Sequence, residues 1–396
     1  MFELRKKILI VGAGLGGLSA AGCLLKAGFD IEIFEQAPSL GEVGAGIQMS
    51  ANAMHVLNYL GIGEKISAQS VRPEAYVFRL HNTGEIIDRF ALSDEHLALH
   101  KAPYNQAHRA DLHNLLTEMV LELKPNSIQL NKTLTYFEES DRGVKLFFDD
   151  GTNVIGDILI GADGVKSVIR DQISGKVAAT YTGDSAWRIT VPKEALPENF
   201  MDHVMSVWMG PGKHAVTYWI KGGTLLNFVG CVETPVASDE SWTAKFPWEE
   251  MKSNFEGWHQ DIQMVIDLAD KNECFRWALY NRPVVKNWST SRATILGDAA
   301  HATLPYLAQG AAMAIEDGAV LARCLKDVSD TSKALNLYQR NRYDRTKKVV
   351  ETSNANRKLF HLDNEAEIRA YFADRDEGAS RNGWLYSYNP LTTVLK

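Results

Sequence analysis

The stretch KKILIVGAGLGGLSAAGCLLKAGFD, residues 6–30, decides the fold of this chain. It opens with two lysines and an apolar run, which is also how a secretion signal opens. It contains Gly12-x-Gly14-x-x-Gly17 as well, the spacing of a dinucleotide-binding fingerprint. One interpretation sends the protein out of the cell and the other gives it a redox cofactor, and the residues that follow decide between them.

The segment after the glycines favours the dinucleotide site. Leu18, Leu24 and Leu25 lie at helical spacing, and Gly28 is a natural C-cap. The run FDIEIFEQ then alternates as a strand does and ends at Glu35. Strand, glycine turn, helix, strand and acid in this order predict a βαβ unit, whereas the glycines would weaken the helix of a signal. We therefore expect a cofactor site.

Each glycine of the fingerprint has a separate purpose in such a unit. Gly12 permits a tight turn, Gly14 lets the backbone approach a pyrophosphate, and Gly17 allows the helix to pack closely on the strand. The helix N-terminus then faces the negative charge of the ligand. Glu35 is placed to accept hydrogen bonds from ribose hydroxyls.

Composition narrows the function further. The 396 residues are 45% hydrophobic and carry a net charge of -7, so a large core is expected and nucleic acid is an improbable partner. Outside the first run, no stretch is apolar enough for a transmembrane segment. Four cysteines lie far apart, without metal-ligand spacing, which predicts a reducing, cytoplasmic setting and no metal site. They are Cys23, Cys231, Cys274 and Cys324.

The rest of the chain predicts two lobes. Asp150-Gly151 separates two strand-like runs and indicates a hairpin. Residues 181–280 are rich in strands and turns, which predicts a second, sheet-based lobe, and residues 333–360 have a helical pattern.

Three separated motifs carry a resemblance to a known family. The glycine fingerprint with its acid, GADGVKSVIR over residues 161–170, and GDAAHATLPYLAQGAAMAIED over residues 297–317 occur in an order that resembles the single-component FAD-dependent aromatic hydroxylases, the group A flavoprotein monooxygenases. The resemblance covers nearly the whole chain. It is strongest to members that act on 3-hydroxybenzoate, salicylate and 6-hydroxynicotinate, and GEVGAGIQ, HRADLH and the tail FHLDNEAEIRAYFADRD favour the first.

The resemblance implies an α/β fold in which a Rossmann-type FAD-binding domain is interleaved with a β-sheet substrate domain and followed by a C-terminal helical segment. The implied boundaries are 1–75, 101–180 and 281–330 for the FAD-binding domain, 76–100 and 181–280 for the substrate domain, and 331–396 for the helical segment.

The resemblance also implies cofactor contacts along the whole FAD. The residues concerned are Gly12, Gly14, Leu15 and Gly17 at the pyrophosphate, Glu35 and Gln36 near the adenosine ribose, Leu134 at the adenine end, Arg109 above the cofactor, Asp163 in the cleft that also receives the pyridine nucleotide, Asp298 at the ribityl chain, and the helix start at Gly310 and Ala311 at the flavin pyrimidine edge. Many relatives have an asparagine after the glycines here. Residues 308–312 lack it, so backbone must replace that contact.

The implied reaction consumes NADH or NADPH and O2. The reduced FAD forms a C4a-hydroperoxide whose distal oxygen is attacked by an electron-rich ring, so a base must ionise a small aromatic hydroxy-carboxylate. The resemblance implies that His214 and Tyr218 are the candidate bases, since they match a His/Tyr pair at this place in the relatives, and their spacing puts both on one strand face. Gln48 is a third catalytic candidate. Arg188 and Tyr306 complete the predicted substrate site with these three.

Several alternatives stay open at this point. His214 and Tyr218 also fit an ordinary packing pair, and Arg188 fits a structural ion pair between the lobes. His301 follows Asp298 closely, but no nucleophile elbow is present, so we interpret it as structural. Another flavin oxidase or reductase, or a non-enzymatic flavoprotein, is the competing class. We expect a monomer or a homodimer.

Overall fold

The computed structural model describes residues 6–41, 45–176, 178–235, 244–373 and 382–396. The strands in these ranges are β1 (Lys7–Val11), β2 (Asp30–Phe34), β3 (Gly46–Met49), β4 (Ala75–Leu80), β5 (Ile86–Ala91), β6 (Asn105–His108), β7 (Ile128–Gln129), β8 (Leu134–Ser140), β9 (Gly143–Phe148), β10 (Asn153–Gly156), β11 (Ile158–Gly161), β12 (Thr180–Pro192), β13 (Met205–Gly210), β14 (Lys213–Ile220), β15 (Leu225–Glu233), β16 (Phe275–Asn281) and β17 (Ala293–Ile295).

The α-helices in the same ranges are α1 (Leu15–Lys26), α2 (Ala51–Leu60), α3 (Gly63–Gln69), α4 (Asp94–His100), α5 (Arg109–Leu123), α6 (Val168–Ser174), α7 (Trp248–Asn254), α8 (Gln260–Asp267), α9 (Asp298–His301), α10 (Gly310–Asp327), α11 (Thr331–Phe360), α12 (Glu365–Ala373) and α13 (Gly383–Tyr386). Within the described ranges, every helix is too short or too polar to span a lipid bilayer.

The predicted βαβ unit is confirmed and forms the centre of a parallel sheet. The strand order is β17-β11-β1-β2-β7, and each neighbouring pair is parallel. Helix α1 ends in a Schellman motif, since Gly28 has φ +94° and its N–H binds the Leu25 carbonyl while Phe29 binds Leu24. At the other end of the unit, β1 ends at Val11, and the glycine turn follows directly.

Helices α1 and α10 cross with little space between their backbones. A Cβ atom added to Gly318 would lie 2.7 Å from the Ala20 nitrogen, and one added to Gly16 would lie 3.1 Å from the Cβ atom of Ala314 on α10. Because only glycine fits at these crossings, the start of α10 is held beside the glycine turn.

The second lobe is a seven-stranded sheet in the order β16-β12-β15-β14-β13-β4-β5. Its outer face packs on α7 and α8 through a cluster that includes Phe228, Phe255 and Trp258. The predicted sheet-based lobe thus also contains two helices, because the Trp-rich segment after residue 243 supplies the apolar cover of the sheet. The inner face turns towards the parallel-sheet lobe and α11.

The C-terminal region packs against both lobes. Leu385 and Tyr386 belong to the core of the parallel-sheet lobe, while Phe360 and Phe372 pack on the inner side of the seven-stranded sheet. The described part of the C-terminal region therefore packs on the rest of the chain. Residues 374–376 of the quoted tail and 42–44 of the GEVGAGIQ loop lie outside the described residues.

Candidate active site

The glycine turn shows three different environments for its three glycines. A Cβ atom at Gly12 would overlap the Ala162 carbonyl, and one at Gly17 would overlap the Gly12 carbonyl, whereas one at Gly14 would meet nothing within 4 Å. Gly12 also has φ +105°. Packing requires Gly12 and Gly17, while the open side of Gly14 leaves room for a ligand to approach the backbone.

Glu35 holds the same turn from the end of β2. Its carboxylate accepts the Ala13 N–H at 2.8 Å and the Ala37 N–H at 2.9 Å. His113 Nε2 contacts the Ala13 carbonyl at 2.8 Å, so the turn is fixed from two sides. The neighbouring Gln36 is exposed.

Two helix N-termini in this region lack the usual side-chain caps. Neither Gly14, before α1, nor Gln309, before α10, caps its helix with a side chain, and neither helix has an acidic residue in its first turn. The backbone N–H groups at a helix start without a side-chain cap are suited to bind anions and to stabilise negative charge on a bound ring. Leu15 lies at the start of α1, and Gly310 and Ala311 lie at the start of α10, as the FAD prediction requires.

The side chain of Gln309, the residue before α10, points into the protein. Its amide bonds to Ser50 and Asn52 at 3.0 Å each, inside the protein, so this side chain turns away from the space at the helix start. Backbone amides are what remains there. Asn52 in turn donates to Glu316 of α10 at 2.5 Å.

The other predicted cofactor residues have varied surroundings. Burial lowers the pKa of Arg109 and the Asp298 carboxylate opposes this shift, so the two charges lie near each other. Asp163 accepts the Ser167 hydroxyl at 2.6 Å, beside the start of α6, and burial raises its pKa. Leu134 is buried at the start of β8. Their contacts with FAD stay predictions.

The inner face of the seven-stranded sheet carries the predicted substrate residues. Three pairs of register partners from β14 and β15 line it: Tyr218 with Asn227, Val216 with Val229, and His214 with Cys231. The middle pair is partly exposed, while His214 and Tyr218 are buried at either side of it. His214 and Tyr218 are four positions apart on β14, which corresponds to about 13 Å along the strand. The two side chains therefore border one space from opposite ends.

Tyr218 forms the junction with the other lobe. A Cβ atom on Gly46 would overlap the Tyr218 hydroxyl, and the Gly46 N–H donates to Asn227 at 2.8 Å. A hydrogen bond with Gln48 lowers the pKa of Tyr218, but burial outweighs it and raises that pKa overall. Gln48 accepts from Tyr104 at 2.6 Å. The space over the Gly46 backbone is therefore filled by the Tyr218 side chain.

His214 begins a chain of polar side chains at the opposite end. Its Nδ1 lies 2.9 Å from His361 Nε2, and His361 Nδ1 lies 3.1 Å from Glu233. Burial and His361 hold the pKa of His214 well below its usual range. Tyr306 lies beside this ring, but its hydroxyl donates to Asp184 at 2.5 Å. The Tyr306 ring, not its hydroxyl, therefore faces His214.

Arg188 lies on β12 in the register row of Val229 and is only 6% exposed. Its guanidinium is 5.3 Å from the Trp277 ring centre and 5.4 Å from that of Phe275. Burial and the charge of Arg109 lower the pKa of Arg188 to about 10. Two guanidinium groups from different lobes therefore share one largely buried region.

Sequence reasoning did not identify four groups around the predicted residues: Tyr104, Asp184, Arg357 and His361. Arg357 donates to both oxygens of Asp184, at 2.5 and 2.7 Å. Nothing local marks these residues, because their partners lie far away along the chain. The sequence signal for His361 is its position directly after the helical pattern of residues 333–360.

Among the described residues, one group could hold a metal ion, formed by Asp184, Glu233 and His361. Arg357 already neutralises Asp184 and lies 3.3 Å from Glu233. We therefore describe the group as an ion-pair network. A separate cavity of about 160 Å³, lined by Arg79, Trp208 and others, lies on the outer face of the same sheet and does not adjoin these residues.

Comparison with known proteins decides the family. The FAD binding domain family matches residues 5–353. The chain is 37% identical to 3-hydroxybenzoate 6-hydroxylase of Polaromonas naphthalenivorans, over 98% of each protein, and 38% identical to 6-hydroxynicotinate 3-monooxygenase of Pseudomonas fluorescens, over 88% of this chain and 91% of the relative. The chain belongs to the FAD-dependent aromatic hydroxylase family.

Solved structures agree with this fold. Klebsiella pneumoniae HpxO, in complex with FAD and uric acid, superposes with a TM-score of 0.83 at 26% identity and covers 93% of this chain and 92% of its own. Salicylate hydroxylase in its substrate complex gives 0.82 at 23% identity, covering 98% and 96%, and supports the fold. The resemblance, the α/β fold and the FAD cofactor predicted for a hydroxylase of this family are thus confirmed.

Proposed function

We propose that this flavoprotein consumes NAD(P)H and O2 to hydroxylate a phenolic aromatic carboxylate. 3-Hydroxybenzoate is the first substrate to test, and salicylate and 6-hydroxynicotinate are the alternatives. One observation carries the proposal: a buried imidazole, His214, and a buried guanidinium, Arg188, lie on one sheet face around the partly exposed Val216 and Val229.

Arg188 is suited to the carboxylate of the substrate. Arginine binds carboxylates through two parallel hydrogen bonds, and such bonds strengthen away from water. Burial and, after it, the charge of Arg109 lower the pKa of Arg188, so the two guanidinium groups repel each other. An anionic substrate beside Arg188 would offset this repulsion.

His214 and Tyr218 have different roles in this proposal. Because burial lowers the pKa of His214, its imidazole is neutral and can accept the substrate hydroxyl proton. Because burial raises the pKa of Tyr218, its hydroxyl keeps its proton and acts as a donor. Gln48, held by Tyr104, orients the Tyr218 hydroxyl.

The open side of Gly14 and the uncapped starts of α1 and α10 support FAD binding at the predicted cofactor residues. These would hold the pyrophosphate and the flavin edge, with Glu35 near the ribose. When bound and reduced by NAD(P)H, FAD supplies the activated oxygen atom. The side chains of the sheet face bind and orient the ring, and the second lobe excludes water from it.

A substrate panel tests the function. The purified protein should be yellow, and one of 3-hydroxybenzoate, salicylate and 6-hydroxynicotinate should stimulate NADH or NADPH oxidation with O2 uptake and a product heavier by one oxygen atom. Benzoate, which lacks the phenol, is the control. Peroxide formed without NAD(P)H would indicate an oxidase, and no response to any hydroxyarene would refute the proposal.

Two variants test the assigned roles. Arg188→Met should raise KM about 10- to 100-fold, as expected for a lost charged hydrogen bond, with a smaller loss in Arg188→Lys. Tyr218→Phe should reduce hydroxylation far more than FAD binding, whereas the exposed Tyr136→Phe should change neither. Equal loss of both properties in Tyr218→Phe would make this residue structural.

We also propose a cytoplasmic location and a monomeric or homodimeric state. All four cysteines are free and buried, which suits a reducing compartment. Light scattering of the purified protein measures the assembly.

A further inference from the structure

A line of three side chains runs from the buried His214 to the surface. His214 Nδ1 is 2.9 Å from His361 Nε2, and His361 Nδ1 is 3.1 Å from Glu233 Oε1. His214 is 2% exposed and His361 8% exposed, while the Glu233 side chain is 49% exposed. The line therefore connects the proposed substrate space with solvent.

The carboxylate at the outer end sets the tautomer of both rings. An ionised carboxylate only accepts, so His361 carries its proton on Nδ1 and its Nε2 is an acceptor. That acceptor requires a proton on His214 Nδ1. Burial lowers the pKa of both histidines, which keeps both rings neutral. His214 is thus left with a basic Nε2, the nitrogen that a substrate hydroxyl would meet.

We infer that His361 and Glu233 form a proton relay that orients His214 and conducts the substrate's phenolic proton to solvent. The inference rests on the proposed function, in which His214 accepts that proton. His361 and Glu233 act through His214 and do not touch the substrate, so they are positioning residues.

The relay has a defined place in the fold. His361 directly follows the last residue of α11, and its carbonyl accepts the Gly212 N–H at 3.2 Å. The Glu233 N–H donates to the Gly212 carbonyl at 3.0 Å. Both relay groups are therefore attached to the same turn between β13 and β14, which starts the strand of His214.

Other titratable groups face this line and fix its charge. Arg357 lies 3.3 Å from Glu233 and also binds Asp184, which keeps the carboxylate of Glu233 near His361. Tyr306 donates to Asp184, and the Cys231 thiol, whose pKa is raised by burial, lies opposite His214. A proton that stayed on His214 would be a buried cation, so a route outwards is favoured.

The transfer balances without another reactant. The phenol O–H bond breaks as His214 Nε2 gains the proton, His214 Nδ1 passes its proton to His361 Nε2, and His361 Nδ1 passes its proton to Glu233, which releases it to water. The reverse passage returns one proton to the product phenolate and restores both tautomers.

The test follows ionisation of a bound phenol without turnover. The FAD-loaded protein, without NAD(P)H, is mixed with 3-hydroxy-4-nitrobenzoate, whose phenolate absorbs visibly, and the phenolate is followed by stopped flow after a pH jump in dilute buffer. Glu233→Gln and His361→Gln should slow its appearance about tenfold or more, with probe affinity and FAD content unchanged. Added imidazole should restore the rate in His361→Gln, and Glu233→Asp should retain most of it.

The matched control is Glu351→Gln. Glu351 is an exposed carboxylate on α11, the helix that precedes His361, and this variant should behave as the wild type. Wild-type rates in Glu233→Gln and His361→Gln would overturn the relay and leave the proposed function intact. A wild-type protein that binds or ionises neither this probe nor any substrate of the panel would overturn both.

Discussion

Helix α11 carries two arginine clusters that differ in their access to solvent. In its first half, Arg342 binds Asp317 at 2.6 Å and Arg345 binds Glu316 at 2.7 Å, and both acids are fully buried on α10. At its end, Arg357 binds Asp184 of the seven-stranded sheet, and the Arg357 side chain is 29% exposed. We call these the inner cluster and the outer cluster.

The difference indicates what each cluster does. The acids of the inner cluster are fully buried, so its ion pairs join α11 to α10, the helix whose start we propose to lie at the flavin. The outer cluster includes His361 and the exposed Glu233, so protons can enter and leave it. Both clusters pair an arginine with a buried acid. In the inner cluster this pairing joins two helices, and in the outer cluster it lies beside the relay that we propose.

Removing Arg342 from the inner cluster should have the largest effect on the free energy of unfolding. Arg342→Met leaves Asp317 buried with a missing partner, so the free energy of unfolding should fall by about 3–5 kcal/mol, with loss of FAD. Urea unfolding and the FAD absorbance of the purified protein measure both. A loss below about 1 kcal/mol would show that His301, 2.6 Å from Asp317, is sufficient.

Removing the outer arginine should cost less stability and more activity. Arg357→Met leaves Asp184 with the Tyr306 hydroxyl, so we expect a loss of about 2 kcal/mol, because a water-accessible site can partly rehydrate. FAD content should stay as in the wild type while kcat falls. If FAD is lost to the same extent as in Arg342→Met, the two clusters do not differ in role.

The pH dependence of stability should differ between the clusters, with a smaller effect than either substitution. The pKa values of His214 and His361 are lowered on folding, so below about pH 6.5 the unfolded chain binds protons that the folded chain does not. Stability contributed by these neutral rings is present above pH 6.5 and lost as the pH falls. In urea unfolding at pH 7 and pH 5, His361→Gln should show a shallower decline than the wild type. An unchanged decline would place the titration elsewhere.

The smallest effect is expected between the clusters. Lys347 pairs with Glu351 at 3.8 Å on the solvent side of α11, and exposed pairs contribute little. Lys347→Ala should therefore change the free energy of unfolding by no more than about 0.5 kcal/mol, without change in FAD content or kcat. A larger loss in thermal unfolding would mean that the exposed Lys347–Glu351 pair contributes more to stability than such pairs usually do.

The dinucleotide-binding unit near the start of the chain could be predicted from local sequence patterns. The βαβ unit and the close packing at Gly12 and Gly17 could be predicted, because a strand, a turn and a helix that follow one another obey local rules of backbone geometry. The contacts of Gly14 and Glu35 with FAD stay predictions. The family followed from three motifs, since each of them encodes such a local turn. The face shared by His214 and Tyr218 was also predictable from the period of a strand.

The contacts of the predicted substrate residues depend on how distant parts of the chain pack together. His214 finds His361 from the end of a 30-residue helix, Tyr306 turns its hydroxyl to Asp184, and Tyr218 fills the space over Gly46. These partners are 122 to 172 residues apart along the chain, and no local pattern connects them. Burial then sets their protonation, and burial is a property of how the lobes pack together and not of any one segment.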